Sequence, residues 1–138
     1  MKTVLVGGCF DLIHIGHIYF LEEAKKLGDK LIVLLESDET IRRLKGEHRP
    51  VHTQEERKIM LLAIRYVDEV ISLPPLKTDK EYLNFIKTVH PDIIALTEGD
   101  PILTKKLKQT ELVGAEGVII HRVPNRSSSI LAKSLKVE

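Results

Sequence analysis

At 138 residues with a formal net charge of +1, the chain is sized for one domain and has no global field to draw it to nucleic acid or an anionic membrane. Hydrophobic residues at 43% and charged residues at 30% exclude intrinsic disorder, and aromatic residues at 4% leave no stacking platform for nucleic acid. The single cysteine, Cys9, excludes an internal disulfide and suits a reducing, cytoplasmic compartment, and no apolar run is long enough to span a bilayer.

Taken in chain order, short apolar runs alternate with longer amphipathic ones. Residues 3–6 (TVLV) read as a first, buried strand; this run is too short for a signal peptide. Residues 17–27 follow as a helix, with Ile18, Phe20, Leu21, Ala24 and Leu27 as its apolar positions and Gly28 as its stop. Residues 30–35 (KLIVLL) are a second strand. Thr53 and Glu56 form a capping-box pattern that opens a helix over 54–66, with Ile59, Leu62, Ala63 and Tyr66 on one face. Strands at 69–73, 92–96 and 117–121 then alternate with helices at 80–89, 101–113 and 127–135. Nearly continuous apolar strands are those of a parallel sheet covered on both faces. The pattern predicts a single domain over 1–138: a Rossmann-like three-layer α/β sandwich on a five-stranded parallel sheet. Ligands of such sheets bind beyond the carboxyl ends of the strands, which is where residues 7–17 fall.

That stretch reads GGCFDLIHIGH. Gly7 and Gly8 let the backbone turn and approach a ligand closely. The helix that follows points its amides and positive dipole end at the same place, so the expected guest is a phosphate. His14 and His17, three residues apart, can face one point, and Gly16 keeps the space between them open. Two imidazoles beside a phosphate donate hydrogen bonds that strengthen as charge builds during phosphoryl transfer. A metal pair is the competing reading of His-x-x-His, but no third ligand of matching geometry is evident, and a metal leaves the glycine pair unexplained. Capping and core roles for the two histidines are the other alternative.

Gly8-Cys9-Phe10-Asp11 followed by His14-Ile15-Gly16-His17 resembles the GxFDxxHxGH signature of the cytidylyltransferase-like nucleotidyltransferases. HIGH also marks the class I aminoacyl-tRNA synthetases, but this chain is far shorter and lacks a KMSKS loop. Further along, Ser37-Asp38, Arg43-Leu44-Lys45-Gly46, Arg49-Pro50-Val51, Glu56-Arg57 and Val67-Asp68 are similar to the nucleotidyltransferase domain of ADP-heptose synthases of lipopolysaccharide core biosynthesis. The spacing is also similar to glycerol-3-phosphate cytidylyltransferase and to archaeal FAD synthetases.

The resemblance implies transfer of a nucleoside monophosphate from ATP, or second CTP, to a phosphorylated acceptor, with Mg²⁺ carried by the triphosphate. A sugar 1-phosphate is the first acceptor, then glycerol 3-phosphate or FMN. It implies that Gly8, Cys9 and Phe10 hold the nucleotide through main-chain groups, that His14 and His17 contact the triphosphate, and that Lys45 neutralises phosphate charge. Lys45 is equally readable as a solvated lysine in a basic cluster with Arg42 and Arg43. Arg57 could reach the site or form a surface ion pair with Glu55 or Glu56. Asp11 ties the loop by hydrogen bonds, or contacts the substrates. Thr97-Glu98-Gly99-Asp100 is similar to the family's Gly-rich base-recognition segment at Gly99 and Asp100 and departs at Glu98. Arg122 with Ser127, Ser128 and Ser129 resembles the closing RTxGISTT motif, whose serines would cap a helix that cradles the β- and γ-phosphates. Asn125 and Arg126 depart from it, and Arg126 adds a charge available to phosphate. Relatives are often dimers, which makes a homodimer the expectation. A nucleotide-binding regulator without turnover is the alternative of another class.

Overall fold

The computed structural model describes residues 1–122. The first strand, β1 (Thr3–Gly8), runs through the middle of the molecule, with Val4 and Val6 fully buried on one face and Leu5 on the other. After it come α1 (Ile15–Lys25), β2 (Lys30–Leu35), α2 (Asp38–Lys45), α3 (Gln54–Leu62), β3 (Glu69–Ser72), α4 (Asp79–Val89), β4 (Ile93–Thr97), α5 (Leu103–Leu112) and β5 (Glu116–Ile120). All strand pairs are parallel, in the order β3-β2-β1-β4-β5. The five predicted strands are present, and the sheet is the predicted one.

Two apolar clusters make the three layers. Val4, Val6, Val33 and Ala95 pack with Leu21 and Ala24 of α1 and Leu61 of α3. On the opposite face, Leu5, Ile32, Leu34, Ile94 and Leu96 pack with Ile86 of α4, and Leu103 and Val113 at the two ends of α5 lean on them. The chain builds outward from β1 to β3, then crosses back to lay β4 on the other side of β1. The order therefore reverses at β1, and the β1–α1 loop lies at the point where α/β sheets open a crevice.

Several helix boundaries differ from expectation. The first helix starts at Ile15, because His14 is its N-cap. An eight-residue helix, α2, stands where none was expected. The third helix ends at Leu62 and turns a different face inward: Arg57 and Leu61 are buried, while Ile59 and Leu62 are 59% and 47% exposed. The expected helix over 127–135 lies outside the described residues. Among the described residues no helix is long and apolar enough to cross a membrane.

Candidate active site

The loop after β1 is held in an uncommon backbone. Phe10 and Leu12 have φ of 49° and 56°, a region that side chains enter at a cost. A Cβ on Gly8 would stand 2.9 Å from the Phe10 ring, so the turn needs glycine there. The Phe10 ring in turn lies 5.4 Å from that of His17, and the two imidazoles stack at 4.1 Å between centroids.

The histidines cap the helix they begin. Nδ1 of His14 accepts the Gly16 amide at 3.0 Å, and Nδ1 of His17 accepts the His14 amide at 3.2 Å. The capping reading thus describes what the Nδ1 atoms do, and it has a chemical consequence. A neutral ring that accepts at Nδ1 carries its hydrogen on Nε2, so each amide spent on a ring is returned as an imidazole N–H donor. Burial, helped by the neighbouring His14 and Lys45 and opposed by Asp11, pushes the His17 pKa down to about 3. His17 is a neutral donor across the physiological range.

The loop is tied from below by two buried charges. Asp11 accepts the Arg49 Nε at 2.7 Å and the amides of Val51 and His52 at 2.8 and 3.1 Å. Burial alone would raise the Asp11 carboxyl; the hydrogen bonds from Val51, Arg49 and His52 outweigh it and hold the pKa below its ordinary value. Arg57 is fully buried, so the surface ion pair with Glu55 or Glu56 does not form. Its Nη1 donates to the carbonyls of Cys9 at 2.7 Å and Glu36 at 2.9 Å, its Nε to His52 O at 3.1 Å, and its Nη2 to Asp38 Oδ1 at 2.7 Å. With those four contacts made, Arg57 fastens the β1, β2 and 52 loops to one another.

Lys45 is exposed at the last position of α2, and its charge acts on both Cys9 and His17. Burial pushes the Cys9 thiol up against that charge. Beyond β4, Gly99 takes φ 79°, and Nη1 of Arg122 lies 3.3 Å from where its Cβ would be, so the structure brings Gly99 and Arg122 together. Asp100 pairs with Lys106 and accepts the Ile102 amide at 2.9 Å. Glu98, the departure from the motif, pairs with His121 at the end of β5. Arg126, Ser127, Ser128 and Ser129 lie outside the described residues. Among the described residues, no three His, Cys, Asp or Glu side chains gather as a metal-binding group.

A cavity of about 490 Å³ runs from the glycine loop down the α4/α5 face of the sheet. Leu5, Leu34, Leu73, Ile86, Ile94 and Leu96 form its floor, and Gly7, Gly8 and Cys9 its wall toward the loop. Its polar lining includes Glu36, Arg43, Lys77, Tyr82, Asp100 and Lys106. His14 and His17 are not among the residues that line it. Sequence reading missed Glu36, Tyr82 and Lys106, which sit in or beside strands and helices read only for their apolar pattern; Arg43 entered it only within the Arg43-Leu44-Lys45-Gly46 resemblance and the basic cluster around Lys45. It also missed Gln54, whose Nε2 ties the ends of β2 and β3 through Leu35 O at 3.0 Å and Leu73 O at 2.9 Å.

Known proteins resemble this chain in sequence and fold. The model of the cytidylyltransferase-like family matches residues 5–135. An FAD synthase of Thermococcus kodakarensis is 40% identical over 134 residues, 97% of this chain and 87% of that protein. The bifunctional protein HldE of Campylobacter fetus is 40% identical over 133 residues, 96% of this chain but 28% of that longer protein. A crystal structure of a lipopolysaccharide core biosynthesis protein from Thermoplasma volcanium superposes with a TM-score of 0.72 at 28% identity, covering 89% of this chain and 97% of that one. With a capped imidazole pair at the switch point of its parallel sheet and a family match along nearly its whole length, this chain belongs to the cytidylyltransferase-like family.

Proposed function

We propose that the chain transfers an adenylyl group from ATP to a phosphorylated acceptor and releases pyrophosphate. An oxygen of the acceptor's phosphate bonds to the α-phosphorus, and the bond from that phosphorus to the β-bridging oxygen breaks. The electron pair leaves on pyrophosphate. The acceptor phosphate is already anionic near neutral pH, so the protein needs no strong general base. It needs position and donors where charge develops. The Nε2–H groups of His14 and His17 are such donors, fixed before the reaction by their Nδ1 bonds. Lys45 adds positive charge beside them, and the proximity of Gly99 and Arg122 past β4 supports placing the nucleotide on that side of β1. Mg²⁺ carried by the triphosphate, as part of the substrate, would supply further neutralisation of its charge. The free Cys9 beside the site suits a reducing cytoplasm.

The observation that carries this reading is the imidazole pair, both rings locked as Nε2–H donors at the entry of α1. Adenine is favoured over cytosine by the relatives named FAD synthase, whose product contains an adenylyl group. The aliphatic floor of the cavity favours FMN as acceptor, because a flat ring system covers Leu34, Leu73 and Ile86 better than a sugar does. A sugar 1-phosphate is the second reading, supported by the similarity to HldE. Pyrophosphate release should be measured with ATP or CTP, each with Mg²⁺, crossed with FMN, heptose 1-phosphate and glycerol 3-phosphate. ATP with FMN is expected to give the fastest release. Release with CTP alone would overturn the base, release with another acceptor alone would overturn FMN, and nucleotide binding without release anywhere would favour a non-catalytic regulator.

A further inference from the structure

Glu36 is placed with more care than the fold requires. Its amide donates to Gly8 O at 3.0 Å, and its carbonyl accepts from buried Arg57, so its backbone is pinned on both sides between the end of β2 and the Ser37 cap of α2. Its side chain lines the cavity and meets one hydrogen-bond donor among the described residues, the Tyr82 hydroxyl of α4, at 3.0 Å from Oε1 and 2.9 Å from Oε2. That hydroxyl has one proton, while a carboxylate has about four acceptor positions. The neighbouring cations do not use the remainder. Lys106 is paired with Asp100, and the Arg43 guanidinium donates to Leu76 O. Burial raises the Glu36 carboxyl, and the Tyr82 bond with Lys106, Arg43 and Arg57 offsets only part of that rise.

A tie between β2 and α4 would need only the tyrosine and a neutral acceptor; a half-buried carboxylate costs more than that. What repays it is a donor brought in from outside. The side of the crevice identifies the molecule. Gly99 and Arg122 stand past β4 and do not line the cavity, whereas Glu36 stands past β2 and does, with the β1 loop between them. If the nucleotide occupies the β4 side, the β2 side is left to the acceptor.

We propose that Glu36, oriented by Tyr82, selects the acceptor by accepting a hydrogen bond from an N–H or O–H group of the acceptor's non-phosphate part. This rests on the nucleotidyltransferase reading above. Glu36 acts on recognition and Tyr82 is a positioning residue, so their variants should alter the acceptor KM and not the chemical step.

Wild type, E36Q and Y82F should be compared in pyrophosphate release with FMN, heptose 1-phosphate and glycerol 3-phosphate, alongside thermal unfolding. E36Q keeps the tie to Tyr82 but presents an amide N–H to the acceptor's donor. It is expected to raise KM for the wild type's preferred acceptor about tenfold, with kcat and the KM for ATP within about threefold. Y82F should shift the same KM by a smaller factor. Unchanged acceptor KM in both variants would overturn the proposal. So would a rise confined to the KM for ATP, or a fall in Tm with all constants otherwise kept, which is the mark of a tie alone. Wild type inactive with every acceptor would instead overturn the reading on which the proposal rests, and the proposal with it; the wild-type arm separates these two failures.

Discussion

A histidine that accepts at Nδ1 has no choice about where its hydrogen goes, and that is the chemical content of the HIGH segment. The capping bonds to His14 and His17 hold both rings in the Nε2–H form, and burial keeps His17 uncharged down to a pH of about 3. The ¹⁵N shifts of His17 should accordingly report the neutral Nε2–H tautomer from pH 6 to pH 8 in the free protein. A ring titrating inside that range would contradict its burial. Replacing His17 by Ala removes a preorganised donor, and kcat should fall by about 10²–10³ while ATP still binds. Near-normal turnover would remove His17 from the machinery. Gly8 acts one step further back. A methyl group there meets the Phe10 ring at 2.9 Å, and that ring leans on His17. Gly8→Ala should therefore lower kcat by about tenfold or more without touching a ligand donor, since a displaced catalytic ring loses its alignment. Restored activity in Gly8→Ala with Phe10→Leu would identify the ring as the intermediary.

At the scale of elements, the site is a knot of loops held by buried Arg57. Its planar fork serves three carbonyls and one carboxylate, from Cys9, Glu36, His52 and Asp38. A lysine cannot reproduce that fork. Arg57→Lys should cost about 2–4 kcal/mol in urea unfolding, because buried carbonyls lose their donors. A midpoint within error of wild type would mean that water replaces the bonds. Arg57 also shows what sequence pattern can and cannot convey. The capping box at Thr53 and Glu56 correctly opens α3, but apolar periodicity put Ile59 and Leu62 inward, when the buried face is that of Arg57 and Leu61. A buried arginine violates the rule that periodicity assumes. The short helix α2 was passed over because Asp38–Lys45 is charged along most of its length. Its signals were nonetheless present: Ser37 as cap, Asp38 and Glu39 in the first turn, and Arg42, Arg43 and Lys45 in the last. The strands were legible because each is a short apolar run with a turn residue after it. Glu36 and Tyr82 were not, because a pair 46 residues apart in sequence becomes a pair only once β2 and α4 meet.

For the whole molecule, the 3-2-1-4-5 strand order decides which charges gather at one edge, and with them how stability responds to pH. Three groups at that edge are shifted in the folded protein, in opposite senses. His17 is depressed from 6.5 to about 3, so between those values the unfolded chain binds the extra proton and stability falls as pH falls. Asp11 is lowered from 3.8, so its contribution is present above that value and is lost only in stronger acid. Glu36 is raised from 4.5, so the folded state binds its proton more readily, and its contribution is lost as pH rises through the folded pKa. From pH 6.5 to 5, His17 is the group of the three whose shift must lower stability on acidification. A full difference of one proton is worth about 1.4 kcal/mol per pH unit; because the unfolded imidazole is only half protonated at pH 6.5, the interval comes to about 1.6 kcal/mol. Asn at position 17 can still accept the His14 amide but takes up no proton. Urea unfolding of His17→Asn at pH 6.5 and pH 5 should therefore lose about 1.6 kcal/mol less than wild type does over the same interval. Equal losses in the two proteins would show that His17 accepts a proton in the folded state as easily as in the unfolded chain. The neutral donor on which the proposed chemistry depends would then be absent in mild acid.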